Sequence, residues 1–215
     1  MSAISVVFEG CEGVFKSTNV EALSNYLKEK GFKVLVTKEP GTPHLPVTME
    51  LRRIMLDKAY DASLTRQARE LISQAIRSIH RDKLLIPSSN EYDFIIQDRG
   101  VISGFAYGLA CGNSLEELIN LSQYIIPEDI DHPAHLYDKV IFLTRPVGDG
   151  LKTAISAKNE FEAGDAIEAK GISFMEEVSK NFNSILSTAD NVHTVDVSDK
   201  TKDEVLQDIM RILGV

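Results

Sequence analysis

The chain has 215 residues, 43% hydrophobic and 26% charged, with a formal net charge of −9 at pH 7. This length and composition predict a single α/β domain over residues 1–215. The negative charge argues against a nucleic-acid partner, because binding a polyanion requires a basic surface.

Compartment and membrane signals point to a protein of the cytoplasm. Cys11 and Cys111 are the two cysteines, too few for a disulfide framework and typical of a reducing compartment. No apolar run approaches the length of a membrane span, and the N-terminus lacks a basic segment followed by an apolar one. We therefore expect neither secretion nor membrane insertion.

Strands and helices alternate along the chain. Short apolar runs predict buried strands at residues 5–8, 33–36, 94–97, 140–143 and 192–197. Amphipathic segments predict helices at residues 20–30, 63–86, 114–125, 174–186 and 201–213. This order predicts a three-layer α/β fold, with a five-stranded parallel sheet flanked by helices. The polar segment 156–169 precedes a helix, where a short lid is expected.

The segment FEGCEGVFKST, residues 8–18, lies between the first strand and the first helix. It follows the phosphate-loop pattern G-x-x-x-x-G-K-[ST], in which backbone N–H groups and a lysine hold phosphates and the hydroxyl holds Mg²⁺. Gly10, Gly13, Lys16 and Ser17 fit, but Phe15 occupies the second glycine position. We expect Phe15 to strain or distort the loop, since a side chain disfavours positive φ.

Two further segments follow the second and third strands: TKEPGTP, residues 37–43, and DRGVISGFAYG, residues 98–108. Ligands of open parallel sheets bind outside the carboxyl ends of the strands, so the three segments predict one site. Asp98 can hold Mg²⁺ or its waters, and Arg99 can clamp a phosphate. Taken alone, this pair is better explained as a surface ion pair.

Together, and in this order, the three segments resemble the thymidylate kinase family of P-loop nucleoside monophosphate kinases. They are similar to its motifs FEG-x-[DE]-G-x-G-K-[ST]-T, TREPGGTP and DR-x-x-x-S-x-x-AYQG, and the segment from Asp165 resembles its DR-x-E lid. The resemblance implies an enzyme that uses ATP and Mg²⁺ to phosphorylate dTMP, or a related or modified pyrimidine deoxynucleotide. It also implies dTTP biosynthesis as the setting and a homodimer as the assembly.

Carried over residue by residue, the resemblance implies four groups of site residues. The cofactor-binding group is Gly10, Glu12, Gly13, Phe15, Lys16, Ser17 and Thr18. The metal-binding group is Ser17 and Asp98. The substrate-binding group is Glu12, Glu39, Pro40, Arg52, Ser73, Arg77, Arg99, Ser103 and Tyr107. The catalytic group is Lys16, Asp98, Arg99 and Lys158.

Within the substrate-binding group, the resemblance implies particular roles. Arg99 and Arg52 face the acceptor monophosphate, Arg77 faces the base, and Glu12 lies near the sugar 3′-hydroxyl. Two phosphorylated substrates need several cations in an otherwise acidic protein. Considered singly, Arg52 and Arg77 are about as well explained as solvated charges on a helix as by a role in binding substrate.

Departures from the family patterns alter the expected base pocket. Ser73 stands where the family has a base-stacking Phe, Ile76 where it has Asp, and Gly108 where it has Gln. Losing an aromatic platform removes stacking worth ~1 to 3 kcal/mol per base, whereas Ser offers a hydrogen bond. The changed pocket can therefore fit a modified pyrimidine or another deoxynucleotide as well as thymine.

The lid departs as well. Ala166 follows Asp165 where the family has Arg, and the loop position that carries this Arg in some members is Gly13. Lys158 can substitute without the planar fork of Arg, whereas Lys170 is better explained as a solvated charge. An arginine finger is worth roughly 10³ to 10⁵ in rate, so slow turnover is expected.

Two other functions stay open. The first is a catalytically impaired relative that binds nucleotides or a protein partner, and the second, weaker, is a general phosphate-loop ATPase. Pairing of two chains is expected through apolar residues 72–86 and 101–109. The departures also suit a phage-encoded enzyme working in the host cytoplasm.

Overall fold

A computed structural model describes residues 2–126, 132–156, 167 and 170–215. Five parallel strands form one sheet in the order β2-β3-β1-β4-β5, which confirms the predicted strands and fold class. The strands are β1 Ile4–Glu9, β2 Val34–Lys38, β3 Phe94–Asp98, β4 Lys139–Thr144 and β5 Val192–Asp196. Because β1 lies between β3 and β4, the segments that follow β1 and β3 emerge side by side.

Helices cover the sheet. They are α1 Lys16–Glu29, α2 Pro46–Leu56, α3 Arg66–His80, α4 Ile86–Ser88, α5 Val101–Ala110, α6 Leu115–Ile125, α7 Val147–Ser156, α8 Ile172–Leu186 and α9 Lys202–Leu213. The predicted helix 63–86 is divided, because a π-helical turn, Arg81–Leu85, separates α3 from α4. Pro87 explains this division, since its ring lacks an N–H and clashes with the carbonyl one turn earlier.

The sheet buries both of its faces, as continuous apolar strands require. Alternate side chains of β1 point to opposite sides: Val6 and Phe8 pack in a cluster with α1 and α9, and Val7 packs in a cluster with α5 and α8. Phe8 and Phe182 are both fully buried, one in each cluster. This confirms the three-layer arrangement.

The structure limits where two chains can pair. In α5, Ile102 is 0% exposed and Val101 and Phe105 are each 5% exposed, so this predicted pairing face is buried inside the chain. Around α3 and α4, by contrast, Leu71 and Ile86 are about half exposed. Among the helices described, none is long and apolar enough to cross a membrane.

Candidate active site

The phosphate loop connects β1 to α1 and passes under the start of α7. Its backbone is tightly curled, with φ of 140° at Gly10 and 72° at Gly13. A Cβ at Gly13 would lie 1.8 Å from the carbonyl oxygen of Gly150, so no side chain fits there. The glycine requirement at Gly13 thus comes from contact with α7 as well as from the loop itself.

Phe15 keeps a glycine-like backbone. It has φ 60° and ψ 30°, the left-handed conformation, and its carbonyl accepts from the backbone N–H of Asn19 at 3.0 Å to start α1. The ring is 40% exposed, and the Arg145 guanidinium lies 5.3 Å from its centroid. Arg145 also donates to the carbonyl of Gly13 at 3.3 Å. Phe15 is therefore strained, as expected, but it does not straighten the loop.

Lys16 begins α1 and folds back over the loop. It is 7% exposed, and its Nζ donates to the carbonyl of Cys11 at 2.6 Å. Burial, with the nearby Arg99 charge, lowers the pKa of Lys16 to about 8. The ammonium is thus held close to the loop backbone, where phosphate oxygens would be received, and Thr18 follows in the same turn of α1.

Ser17, in the first turn of α1, contacts Asp98 at the end of β3. The Ser17 hydroxyl donates to Oδ2 of Asp98 at 2.5 Å. A hydroxyl and a carboxylate are both hard oxygen ligands of the kind that Mg²⁺ prefers, so these residues fit the ion. The pairing of Phe8 with Asp98 in the sheet brings the two side chains together.

Arg99 joins the loop to the residues of α5. It has φ 65°, and its guanidinium donates to the Gly10 carbonyl at 2.7 Å, to Ser103 at 3.1 Å and to Glu12 at 2.8 Å. The Tyr107 hydroxyl donates to the same Glu12 oxygen at 3.2 Å. Burial opposes the charged form of Arg99, but Glu12, Tyr107, Asp98 and Glu9 together outweigh it, so the pKa of Arg99 is raised. Arg99 stays cationic although its side chain is 13% exposed.

Glu9 supports this arrangement from below. It is fully buried at the end of β1 and accepts from the backbone N–H of Gly100 at 2.9 Å and of Ser103 at 3.1 Å, and also from the Ser103 hydroxyl. Its carboxyl group therefore caps the first turn of α5. Desolvation raises the pKa of Glu9 to about 7, against the lowering effect of its hydrogen bonds with Ser103.

A cavity of about 370 Å³ opens beside Arg99. All nine residues of the predicted substrate-binding group line it: Glu12, Glu39, Pro40, Arg52, Ser73, Arg77, Arg99, Ser103 and Tyr107. The structure thus brings together residues from the phosphate loop, the segment after β2, the segment after β3, and α2, α3 and α5. Its size falls in the range of small-molecule sites.

Buried ion pairs hold the floor of this cavity. Glu39 accepts from Arg77 Nε at 3.3 Å and pairs with His80 Nδ1 at 3.1 Å. Burial alone would raise the pKa of Glu39, but Arg77 and His80 outweigh it and the pKa is lowered. Arg52 donates to the carbonyl of Pro40 at 2.7 Å. Neither Arg52, which is partly exposed, nor Arg77, which is 3% exposed, is a fully solvated helix charge.

Some predicted residues lie elsewhere, and others were missed. Lys158, like Asp165 and Ala166, is outside the described residues, whereas Lys170 is exposed at the mouth of the cavity. Glu9, Glu70 and Arg145 were not predicted as site residues. The available signal was a carboxylate within the apolar strand β1 and another on the buried face of α3.

Arg99 contacts the loop and lines the cavity, so two anionic ligands can be brought to the same edge of the sheet. This is the arrangement of the P-loop nucleoside monophosphate kinases, the class of transferases to which the fold and the site assign the chain.

Comparison with known proteins identifies the family. The family model for thymidylate kinase matches residues 8–209. The chain is 30% identical over 214 residues to the thymidylate kinase of Nostoc punctiforme, covering 96% of this chain and 95% of the relative. It is 33% identical over 184 residues to that of Campylobacter concisus, covering 84% of each, and 27% identical over 200 residues to that of Finegoldia magna, covering 92% of each. The chain belongs to the thymidylate kinase family.

The left-handed backbone of Phe15 predicts a reversed order of variant stabilities. We expect Phe15→Gly to be about 1 kcal/mol more stable than Phe15→Ala, because a Cβ in this conformation costs roughly 1 to 2 kcal/mol. Urea unfolding of both variants measures the difference. The matched pair Glu21→Gly and Glu21→Ala, at an exposed position inside α1, should show the ordinary order with Ala more stable. The same ordinary order at residue 15 would contradict the conformation.

The raised pKa of Glu9 predicts a pH-dependent contribution to stability. Since its pKa is about 7 when folded and 4.5 ordinarily, the protonated carboxyl is favoured by folding. This contribution is fully present below pH 4.5 and lost as the pH rises through about 7. Relative to Glu9→Gln, the wild-type free energy of unfolding should therefore fall by about 3 kcal/mol between pH 4.5 and pH 7.5.

Urea unfolding at several pH values measures this difference. Glu176→Gln, which changes an exposed carboxylate in α8, serves as the control and should track the wild type. A constant difference between wild type and Glu9→Gln across this range would refute the raised pKa.

Proposed function

We propose that the chain transfers the γ-phosphoryl group of ATP to a pyrimidine deoxynucleoside monophosphate, which is dTMP or a related or modified nucleotide. The reaction would serve the biosynthesis of dTTP or of the corresponding modified triphosphate. The observation that carries the proposal is the junction at Arg99, which contacts the phosphate loop on one side and lines the cavity on the other. An oxygen of the acceptor phosphate attacks the γ-phosphorus, and the bond to the β,γ-bridging oxygen breaks to release ADP.

The donor half of the site consists of the phosphate loop and the end of β3. Lys16 and the loop amides from Gly10 to Thr18 hold the ATP phosphates, and Ser17 and Asp98 hold Mg²⁺. Bound there, Mg²⁺ would neutralise charge on the donor phosphates. The Lys16 contact with the Cys11 carbonyl supports this role, because it keeps the ammonium over the loop.

The acceptor half is the cavity. Arg99 and Arg52 bind the monophosphate, Arg77 faces the base, and Glu12 accepts from the sugar hydroxyl. Ser103 and Tyr107 line the wall between them, with Pro40 and Glu39 supporting the floor. Holding both phosphates in one geometry supplies much of the catalysis, since no covalent intermediate is needed.

Residues 156–169 serve as the lid of a single domain, with Lys158 as the cation that replaces the family arginine at the transferring phosphate. Residues 157–166 lie outside the described part of the chain, so this role is carried by the resemblance alone. A lysine there would recover part of the stabilisation that an arginine gives.

The alternative is a catalytically impaired relative that binds nucleotides without turnover. Phe15, Ser73 and Ala166 motivate it. The geometry favours the kinase, because Phe15 keeps the curl of the loop and leaves Lys16 over its backbone.

ADP release in the presence of ATP, Mg²⁺ and dTMP tests the proposal. We expect turnover in the wild type and a loss of about 10² in kcat or more in Lys16→Ala, because one preorganised cation is removed. The control Lys28→Ala changes an exposed lysine of the same helix and should retain activity. Binding of ATP and dTMP by calorimetry, without turnover of dTMP, dCMP or 5-hydroxymethyl-dUMP, would overturn the kinase and support the binding protein.

We also propose that two chains pair as a homodimer through the outer faces of α3, α4 and α6. Exposed apolar side chains there support it: Leu71, Ile86, Leu115 and Ile119 are 38% to 56% exposed. Light scattering after size exclusion should give twice the chain mass of 23.8 kDa, and Leu71→Glu should shift it toward the monomer. A monomer at micromolar concentration would refute the pairing.

A further inference from the structure

The acceptor cavity is lined by more residues than those given roles so far. Part of its wall comes from α3 and α5, where Ser73 and Gly108 are both small. A Cβ added at Gly108 would lie 2.9 Å from Leu118, so this wall cannot carry a side chain without displacing Leu118. Glu70, a residue to which no role has been given so far, also lines the cavity.

Glu70 is a buried carboxylate on the wall of this cavity. It is 8% exposed, and Oε1 accepts from the Gln74 amide at 2.9 Å. Among the described residues, no lysine, arginine or histidine pairs with it: Arg69 pairs with Asp61 at 2.8 Å, and Arg66 with Glu117 at 3.0 Å. A carboxylate withdrawn from water is costly unless hydrogen-bond donors surround it.

A chain of contacts fixes which atoms Glu70 offers to the cavity. Arg77 donates from Nη1 to Oε1 of Gln74 at 2.8 Å, and Arg has donors only, so the Gln74 oxygen must face it. The Gln74 amide nitrogen therefore faces Glu70 and donates a hydrogen bond to its Oε1. Oε2 remains beside Gly108, 3.4 Å from where a Cβ would be, as an acceptor at the cavity wall.

We propose that Glu70 selects an acceptor nucleotide whose base carries an exocyclic hydrogen-bond donor, an amino or hydroxyl group, on the edge opposite the sugar. This inference rests on the proposed kinase function, because it requires that the cavity bind a nucleoside monophosphate with its phosphate at Arg99. The exocyclic groups of thymine at C4 and C5 are a carbonyl and a methyl group, and neither donates to a carboxylate; its one donor in this region, N3–H, belongs to the ring. A base with a 4-amino or a 5-hydroxymethyl group does donate.

The same contacts predict what Glu70→Gln does. Gln74 still presents its amide nitrogen, so the new glutamine must turn its own oxygen toward Gln74 and its NH₂ group toward the cavity. The substitution converts an acceptor into a donor at one point of the wall, with almost no change in shape. Preference should therefore move from bases that donate toward bases that accept, such as thymine with its carbonyl.

The experiment compares kcat/KM for dTMP, dCMP and 5-hydroxymethyl-dUMP in the wild type, Glu70→Gln, Glu70→Ala and the exposed control Glu176→Gln. The wild type should favour at least one donor-bearing acceptor over dTMP. The ratio of kcat/KM for that donor-bearing acceptor to kcat/KM for dTMP should fall about 10- to 100-fold in Glu70→Gln, as expected for one hydrogen bond to a charged group. The same ratio should stay unchanged in the control. If the ratio falls for dCMP, Glu70 recognises the 4-amino group; if it falls for 5-hydroxymethyl-dUMP, Glu70 recognises the hydroxymethyl group.

A wild type that favours dTMP over both other acceptors, or a ratio that is the same in all four proteins, would overturn the role of Glu70. Absence of turnover with every acceptor is instead a failure of the kinase proposal. In that case, calorimetric affinities of the same three monophosphates give the ratio without catalysis. Glu70→Ala, which removes both oxygens, supplies the comparison if Glu70→Gln does not fold.

Discussion

The register of β1 against β3 is the constraint on which the site depends. Phe8 lies opposite Asp98, and the backbone N–H of Arg99 donates to the Phe8 carbonyl at 2.9 Å, so the ladder continues one step past the strand. From this step the loop, Asp98 and Arg99 leave the sheet together. A slip of one residue would turn every side chain of β3 to the opposite face and separate Ser17 from Asp98. The burial of Val6, Phe8 and Ile96 on one face excludes that slip.

The sequence predicted the parts of the structure that repeat a simple pattern. Each predicted strand matches an observed one within about two residues, because buried parallel strands are continuous apolar runs. α1 begins at Lys16 and not at residue 20, since its first turn is made of polar loop residues with no apolar period. α5 and α7 lie outside the predicted helices, because the sequences VISGFAYGLA and VGDGLKTAIS each contain two glycines, which lower helix propensity. Pro87 signals a break, but not the π-helical turn that precedes it.

For the site, the ordered motifs predicted which residues lie together. The residues that the sequence did not predict are mainly buried carboxylates. All nine residues of the substrate-binding group line one cavity, which no single motif requires. Glu9 and Glu70 escaped prediction because sequence patterns treat a carboxylate as an exposed residue. Their environment, one fully buried and one 8% exposed, depends on which helices cover them. The contact of Arg145 with Phe15 likewise joins residues 130 positions apart, and no local sequence pattern predicts it.

The contact between Gly13 and Gly150 limits how this active site can be rebuilt. Two backbones touch there without intervening side chains, so the loop and the start of α7 fit only as a matched pair. An arginine grafted into the loop at position 13 would drive its Cβ into the α7 backbone. An arginine at position 13 would therefore require a redesigned α7. The loop and the start of α7 are expected to be inherited as one unit.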